Sequence, residues 1–197
     1  MQKSAKSRRD KTRSLAVSAV MLALAFGLSY VKIWQMPLGG AVTLLSMLPL
    51  CIVSLREGIS WGLGTAFCYS WLQVLQGGVF GWGLTPGILI ASLLLDYILA
   101  FTVIGLAGLF RRRGLPGILA GIALALLLRF GCHLLSGVYL WTELGAFQFF
   151  GKEFSGRPLL YSLAYNGQYM LPEIVFTLTA AVLLFSRKKM RKQILAI

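Results

Sequence analysis

Arg129-Phe-Gly-Cys-His-Leu-Leu-Ser-Gly-Val-Tyr-Leu-Trp141 closes an apolar run that begins near Leu115, and it holds the only histidine of the chain, His133. Residues four apart share one face of an α-helix. Arg129, His133, Gly137 and Trp141 therefore form a stripe: a charge, an imidazole, a gap without a side chain, and an indole. Lipid offers such a stripe no hydrogen bonds, so it faces protein, water or ligand. It reads either as a polar seam joining helices or as one wall of a small-molecule pocket. Ionisable groups inside a membrane point to the pocket.

The surroundings of this stretch are those of a membrane protein. The 197 residues are 57% hydrophobic, with a mean hydropathy of +0.77, which excludes a soluble domain of ordinary make-up. A net charge of +13 would by itself suggest nucleic acid. Here, however, the cations cluster in short segments between long apolar runs, and no aromatic-basic motif accompanies them. Cys51, Cys68 and Cys132 fall within apolar runs without CxxC spacing, so they read as small apolar fillers, not a disulfide framework or a metal site.

Working outward from the central stretch, the pattern predicts an all-α bundle of six transmembrane helices, near residues 14–33, 44–55, 59–76, 86–110, 115–141 and 158–186. A basic arm (1–13) precedes this single membrane domain (14–186), and a basic tail (187–197) follows it. Ala23-Leu-Ala25 resembles a signal-peptidase site, but the apolar run continues to Ile33, so an uncleaved first helix is expected. Arg56-Glu-Gly58 and Arg111-Arg-Arg113 read as cytoplasmic turns, and the glycine-rich, uncharged Gln76–Gly83 stretch as an outer loop without phosphate-binding spacing. With both termini inside, fifteen of the nineteen cations lie on the cytoplasmic side; Lys32, Lys152 and Arg157 lie outside, and Arg129 lies within helix five. On helix one, Ala19, Ala23 and Gly27 make a small-residue stripe, either for internal packing or for close approach of a partner helix.

The polar residues of three helices converge on one level. Asp96 lies roughly 15 Å from the outer end of helix four, and His133 and Asn166 lie roughly 12 Å from the outer ends of helices five and six. Asn166, Tyr169 and Glu173 share a face of helix six, and Tyr69 and Gln73 share a face of helix three. A pocket open to the outside accounts for this coincidence. Its carboxylate, Asp96, its aromatic faces, Tyr97, Trp141, Tyr161 and the loop residue Trp34, and its directional groups, His133 and Asn166, suit a flat, nitrogen-rich cation.

Four motifs carry a family resemblance: Leu44-Leu-Ser-Met-Leu-Pro49, Leu95-Asp-Tyr-Ile-Leu-Ala-Phe101, Arg129-Phe-x-x-His-x-x-Ser-Gly137, and Tyr161-Ser-Leu-x-Tyr-Asn-Gly-x-Tyr-x-Leu-Pro-Glu173. They resemble the thiamine-specific S component of bacterial energy-coupling factor (ECF) transporters, over nearly the whole chain from Ala16 to Leu184. The resemblance implies a six-helix bundle in the cell membrane with an outward-facing thiamine pocket. It implies no enzymatic activity and no cofactor, and a transmembrane T component and two cytoplasmic ATPases as partners. Carried over by motif, Asp96 stands where the family's ligand-contacting acid lies and Tyr97 is its neighbour; His133, Gly137 and Trp141 match the helix-five part of the pocket, and Tyr161 and Asn166 the helix-six part. Trp34 falls in a loop that resembles the family's gate, while Tyr69, Tyr169 and Glu173 are further candidates for ligand contact. Asp96 is shorter than glutamate, which implies a shifted ligand or an admitted water. An alanine-rich stripe on helix one meets the T component in the family and resembles Ala19, Ala23 and Gly27 here.

Three other readings compete. An S component for another small aromatic, nitrogen-containing vitamin or precursor would share the pocket chemistry. An intramembrane hydrolase would use Ser136 with His133, but residues three apart on one helix rarely align nucleophile and base, and no nucleophile elbow is present. A proton-coupled carrier would use Asp96 and Glu173 as relays, but autonomous carriers are typically built from inverted repeats, which this chain lacks.

Overall fold

The computed structural model describes residues 2–36, 39–141, 148–149, 152–153 and 156–195. Among these, α1 (Gln2–Ser29) leads into a hairpin of β1 (Lys32–Gln35) and β2 (Ala41–Thr43). There follow α2 (Met47–Glu57), α3 (Ile59–Gly77), α4 (Pro86–Gly108), α5 (Gly114–Tyr139), α6 (Pro158–Phe185) and α7 (Lys188–Leu195). A short pair, β3 (Gln148–Phe149) and β4 (Lys152–Glu153), lies between α5 and α6. The expected break at Pro37 and most of the expected outer loop after Trp141 lie outside the described residues.

The helix count and several boundaries correct the six-helix expectation. The described residues contain seven helices. The additional one, α7, forms in the expected tail: Leu195 buries its side chain, and Arg56 Nη1 donates to Ile194 O at 3.0 Å. The basic arm is helical from Gln2, because lysine and arginine are good helix formers and no glycine or proline interrupts them before Gly27. The first helix ends at Ser29, not at 33, because Lys32–Gln35 pairs with β2. Among the described residues, four helical stretches are long and apolar enough to cross a membrane: Arg9–Ser29, Pro86–Gly108, Arg111–Tyr139 and Pro158–Phe185. The α2 helix, with 11 residues, reaches only about 17 Å, and α3 is diluted by Thr65, Ser70, Gln73 and Gln76.

Large apolar side chains face outward as well as inward, and some charged ones are buried. Leu75 and Leu183 are 74% and 73% exposed, while Glu173 is 1% and Arg129 6% exposed. A greasy exterior is stable in lipid, where buried polar groups must satisfy one another. This is a multi-pass membrane protein.

Close backbone contact holds the lower half together. Ser54 Oγ donates to Gly105 O at 2.5 Å and accepts from Gly108 N at 2.9 Å, joining α2 to α4. A Cβ added at Gly121 on α5 would collide with Ala107 O on α4. Because the obstacle is backbone, it cannot rotate away. Gly121→Ala is therefore expected to destabilise the fold by about 1–3 kcal/mol. Thermal unfolding of the purified protein reads this directly, and an unchanged midpoint would show that α4 and α5 can part at no cost.

A ligand-sized cavity at the meeting of three helices

The cavity begins with a fault in α4. Residues Leu93–Leu99 form a wide, π-type turn. Such turns insert one extra residue, re-aim side chains, and recur at functional sites. This turn carries Asp96 and Tyr97, and both line a cavity of about 220 Å³.

Asp96 is the hub. Its Oδ2 accepts Ser136 Oγ at 2.5 Å, Ser92 Oγ at 3.0 Å and Trp141 Nε1 at 3.1 Å. Its Oδ1 lies 3.2 Å from His133 Nδ1. Asn166 Nδ2 in turn donates to His133 O at 3.1 Å, and Tyr169 OH donates to Asn166 Oδ1 at 2.6 Å. Asp96, His133 and Asn166, from α4, α5 and α6, thus meet in one network, at the common level inferred from helix rise. The hydroxyl of Ser136 is directed to the carboxylate, not to His133, so the serine–histidine dyad of the hydrolase reading does not form.

Several polar atoms in this network have no partner among the described residues. His133 Nε2 and Arg129 Nε and Nη1 are buried and unbonded among the described residues. Arg129 also stacks its guanidinium over Phe101, with Cζ 4.5 Å from the ring centroid. Buried unbonded polar atoms beside a cavity are costly, and a ligand or water within it removes the cost. Of the charged groups, Asp96, Arg129 and Lys32 line the cavity, while Glu173 is engaged by Thr43.

The structure sorts the expected residues into liners and supports. Tyr69, Tyr97, Tyr161, Gly137 and Tyr169 line the cavity, as do Asp96, His133, Trp141 and Asn166. Gly137 admits α6, because a Cβ there would collide with Ser162 Oγ. Trp141 lies beyond the end of α5, so the expected helical stripe is continuous only from Arg129 to Gly137. Its N–H is engaged by Asp96 and Ser136, and its ring packs edge-to-face on Trp82 at 5.6 Å.

Two residues differ from expectation. Trp34 is 58% exposed and does not line the cavity; its Nε1 lies 3.3 Å from Met36 Sδ. An irregularity in the β1–β2 register between Lys32 and Trp34 re-aims the strand, so Lys32 and Gln35 line the cavity instead. Glu173 does not reach the cavity either. Its carboxylate accepts Thr43 N at 2.8 Å and Thr43 Oγ1 at 2.9 Å, fastening the hairpin to α6. The hairpin rests directly on this face: a Cβ at Gly40 would collide with the Tyr169 ring.

Other liners were absent from the expected set. Gln73 Nε2 donates to Gln76 Oε1 at 2.7 Å, and Ser29 Oγ donates to the same oxygen at 3.0 Å, forming a neutral polar end between α1 and α3. The glutamine spacing of three was visible on α3, but polar residues near a helix end are usually solvated. Trp82 lay in a glycine-rich loop whose spacing suggested no chemistry.

A family model described as "Thiamine transporter protein" matches residues 15–193. The thiamine transporter ThiT of Bacillus subtilis (strain 168) is 30% identical over 184 residues, covering 87% of this chain and 86% of that protein. A solved structure of ThiT from Listeria monocytogenes superposes with a TM-score of 0.67 at 23% identity, covering 91% of this chain and 97% of that one, so the two share a fold. On the match to the family model and the B. subtilis relative, the chain belongs to the thiamine transporter family.

Proposed function

We propose that this protein is the thiamine-binding S component of an ECF-type importer in the bacterial cell membrane. It captures thiamine from outside and delivers it through a transmembrane T component and two cytoplasmic ATPases. The observation that carries the reading is the Asp96 carboxylate at the junction of α4, α5 and α6, inside a cavity with aromatic walls. A thiazolium cation with an aminopyrimidine ring offers the matching charge, faces and hydrogen-bonding edge. In this assignment Asp96, Tyr97, His133, Gly137, Trp141, Tyr161 and Asn166 contact the ligand, with Tyr69 and Tyr169 beside them, while Trp34 lies on the hairpin that covers it and Glu173 fastens that hairpin to α6. Both termini are cytoplasmic, as the bias of cations supports.

Tryptophan fluorescence of the purified protein, titrated with thiamine, riboflavin and biotin, tests the reading. Trp141 and Trp82 at the cavity make a response to thiamine alone the expected result; a response to riboflavin or biotin instead would reassign the substrate. His133→Ala and Trp141→Ala should each weaken thiamine binding by about tenfold to a hundredfold, from contacts of about 1–3 kcal/mol. Wild-type affinity in both variants would make the stripe a structural seam. Uptake in cells that requires the ATPases would exclude the autonomous carrier.

A further inference from the structure

A second cavity, of about 380 Å³, lies at the other end of the bundle. The helices fix this placement: α1 contributes Ser29 to the first cavity and Ser14 to the second, and α2 contributes Met47 to the first and Glu57 to the second. The guanidinium groups of Arg13, Arg56, Arg111 and Arg112 line it, against the carboxylates of Asp10 and Glu57, for a formal surplus of two positive charges.

The arginines divide into two kinds. Arg56 and Arg111 build the walls. Arg56 Nε pairs with Glu57 Oε1 at 3.0 Å, and its Nη1 holds Ile194 O on α7. Arg111 Nη1 donates to the carbonyls of Leu55 and Arg56 at 3.2 and 3.3 Å, at the end of α2. Glu57 is further occupied by Ser14 Oγ at 2.6 Å. Arg13 and Arg112, by contrast, bond to no other described residue, so their donors are available to a guest. Leu55 and Leu195, both 2% exposed, line the same cavity.

A run of cations beside an apolar span is usually just a solvated flank that sets topology. Here the cations come from separate segments around a concave space closed by a docked helix, α7. Two candidate spans, Arg9–Ser29 and Arg111–Tyr139, begin at its residues, so it sits at the depth of lipid headgroups. Basic pockets between helices at that depth recognise phosphate-bearing headgroups, and guanidinium forks match phosphate oxygens.

We propose that this cavity binds the phosphate of an anionic phospholipid headgroup, recognised by Arg13 and Arg112 within walls built by Arg56 and Arg111. The test uses the full chain in nanodiscs of phosphatidylcholine with and without phosphatidylglycerol. Native mass spectrometry reads retained lipid, and thermal unfolding reads stability. The wild-type protein is expected to retain phosphatidylglycerol in preference to phosphatidylcholine and to unfold several degrees higher with it. Arg13→Gln/Arg112→Gln should reduce that preference at least tenfold while binding thiamine as before, which shows that it is folded. A separate arm adds glycerol 3-phosphate in detergent: stabilisation there, lost in the double variant and without lipid retention, assigns the same chemistry to a soluble phosphate. Equal lipid retention by wild type and double variant, or no preference for phosphatidylglycerol together with no response to glycerol 3-phosphate, overturns the proposal.

Discussion

Asp96→Asn is expected to lower thiamine affinity about a hundredfold or more while the protein still folds. The carboxylate is the hub shared by Ser92, Ser136, Trp141 and His133. Asparagine keeps the shape. Its carbonyl oxygen can take the place of Oδ2, where the Ser136, Ser92 and Trp141 donors converge, and its amide then faces His133 Nδ1. The network therefore survives with little rearrangement. The charge does not. The substitution removes the one carboxylate among the described lining residues and leaves Lys32 and Arg129 there, so a cationic ligand loses its counter-charge. A hydrogen bond to a charged group contributes about 1.5–3 kcal/mol, and the upper end of that range is about two decades in affinity. Asp96→Glu, which keeps the charge, should lose far less. Equal affinities for wild type and Asp96→Asn by titration calorimetry would remove Asp96 from the ligand's surroundings and would leave its role as an internal brace.

The level of the cavity was legible because helix rise is a constant. Once a helix start is known to within a turn, the depth of a residue follows, and Asp96, His133 and Asn166 meet for that reason. Side-chain direction on a helix follows in the same way, which is why Tyr169 and Asn166 bond to each other. The hairpin was a different matter. Strand alternation fixes direction only while the register is regular, and the irregularity between Lys32 and Trp34 turns Trp34 outward. Glu173 was placed on the correct face of α6, yet its partner is a backbone amide 130 residues away, a pairing that no local pattern encodes. The π-type turn at Leu93–Leu99 was equally invisible, since its residues also make an ordinary helical run. The alternative uses of Ala19, Ala23 and Gly27 could be separated only by structure. All three are exposed, and a Cβ at Gly27 would touch nothing within 4 Å, so the stripe does not pack inside the bundle.

That outward position makes Ala19→Trp/Ala23→Trp the sharpest test of the proposed assembly. The face of α1 that packs on α2 and α3 is the opposite one, carried by Ser18, Ala25 and Ser29, which are all buried. Tryptophan at positions 19 and 23 would project into lipid, beside Leu15, Val20 and Leu24, which are exposed already. The bundle and the Asp96 cavity should be undisturbed, and thiamine affinity should stay within about twofold, as for surface substitutions generally. Association is another matter. Helices in lipid gain little from apolar burial against one another, so a close joint depends on small residues that let backbones approach. Two indoles on that stripe hold a partner helix away by the width of a ring. If α1 meets the T component there, the variant binds thiamine, fails to co-purify with the T component and ATPases, and supports no uptake in cells. Ala19→Gly/Ala23→Gly keeps the surface smooth and should assemble, which separates bulk from any effect of sequence change alone. A tryptophan variant that still co-purifies and transports would move the joint to another face of the bundle, and the exposed stripe on α1 would then be a lipid-facing surface.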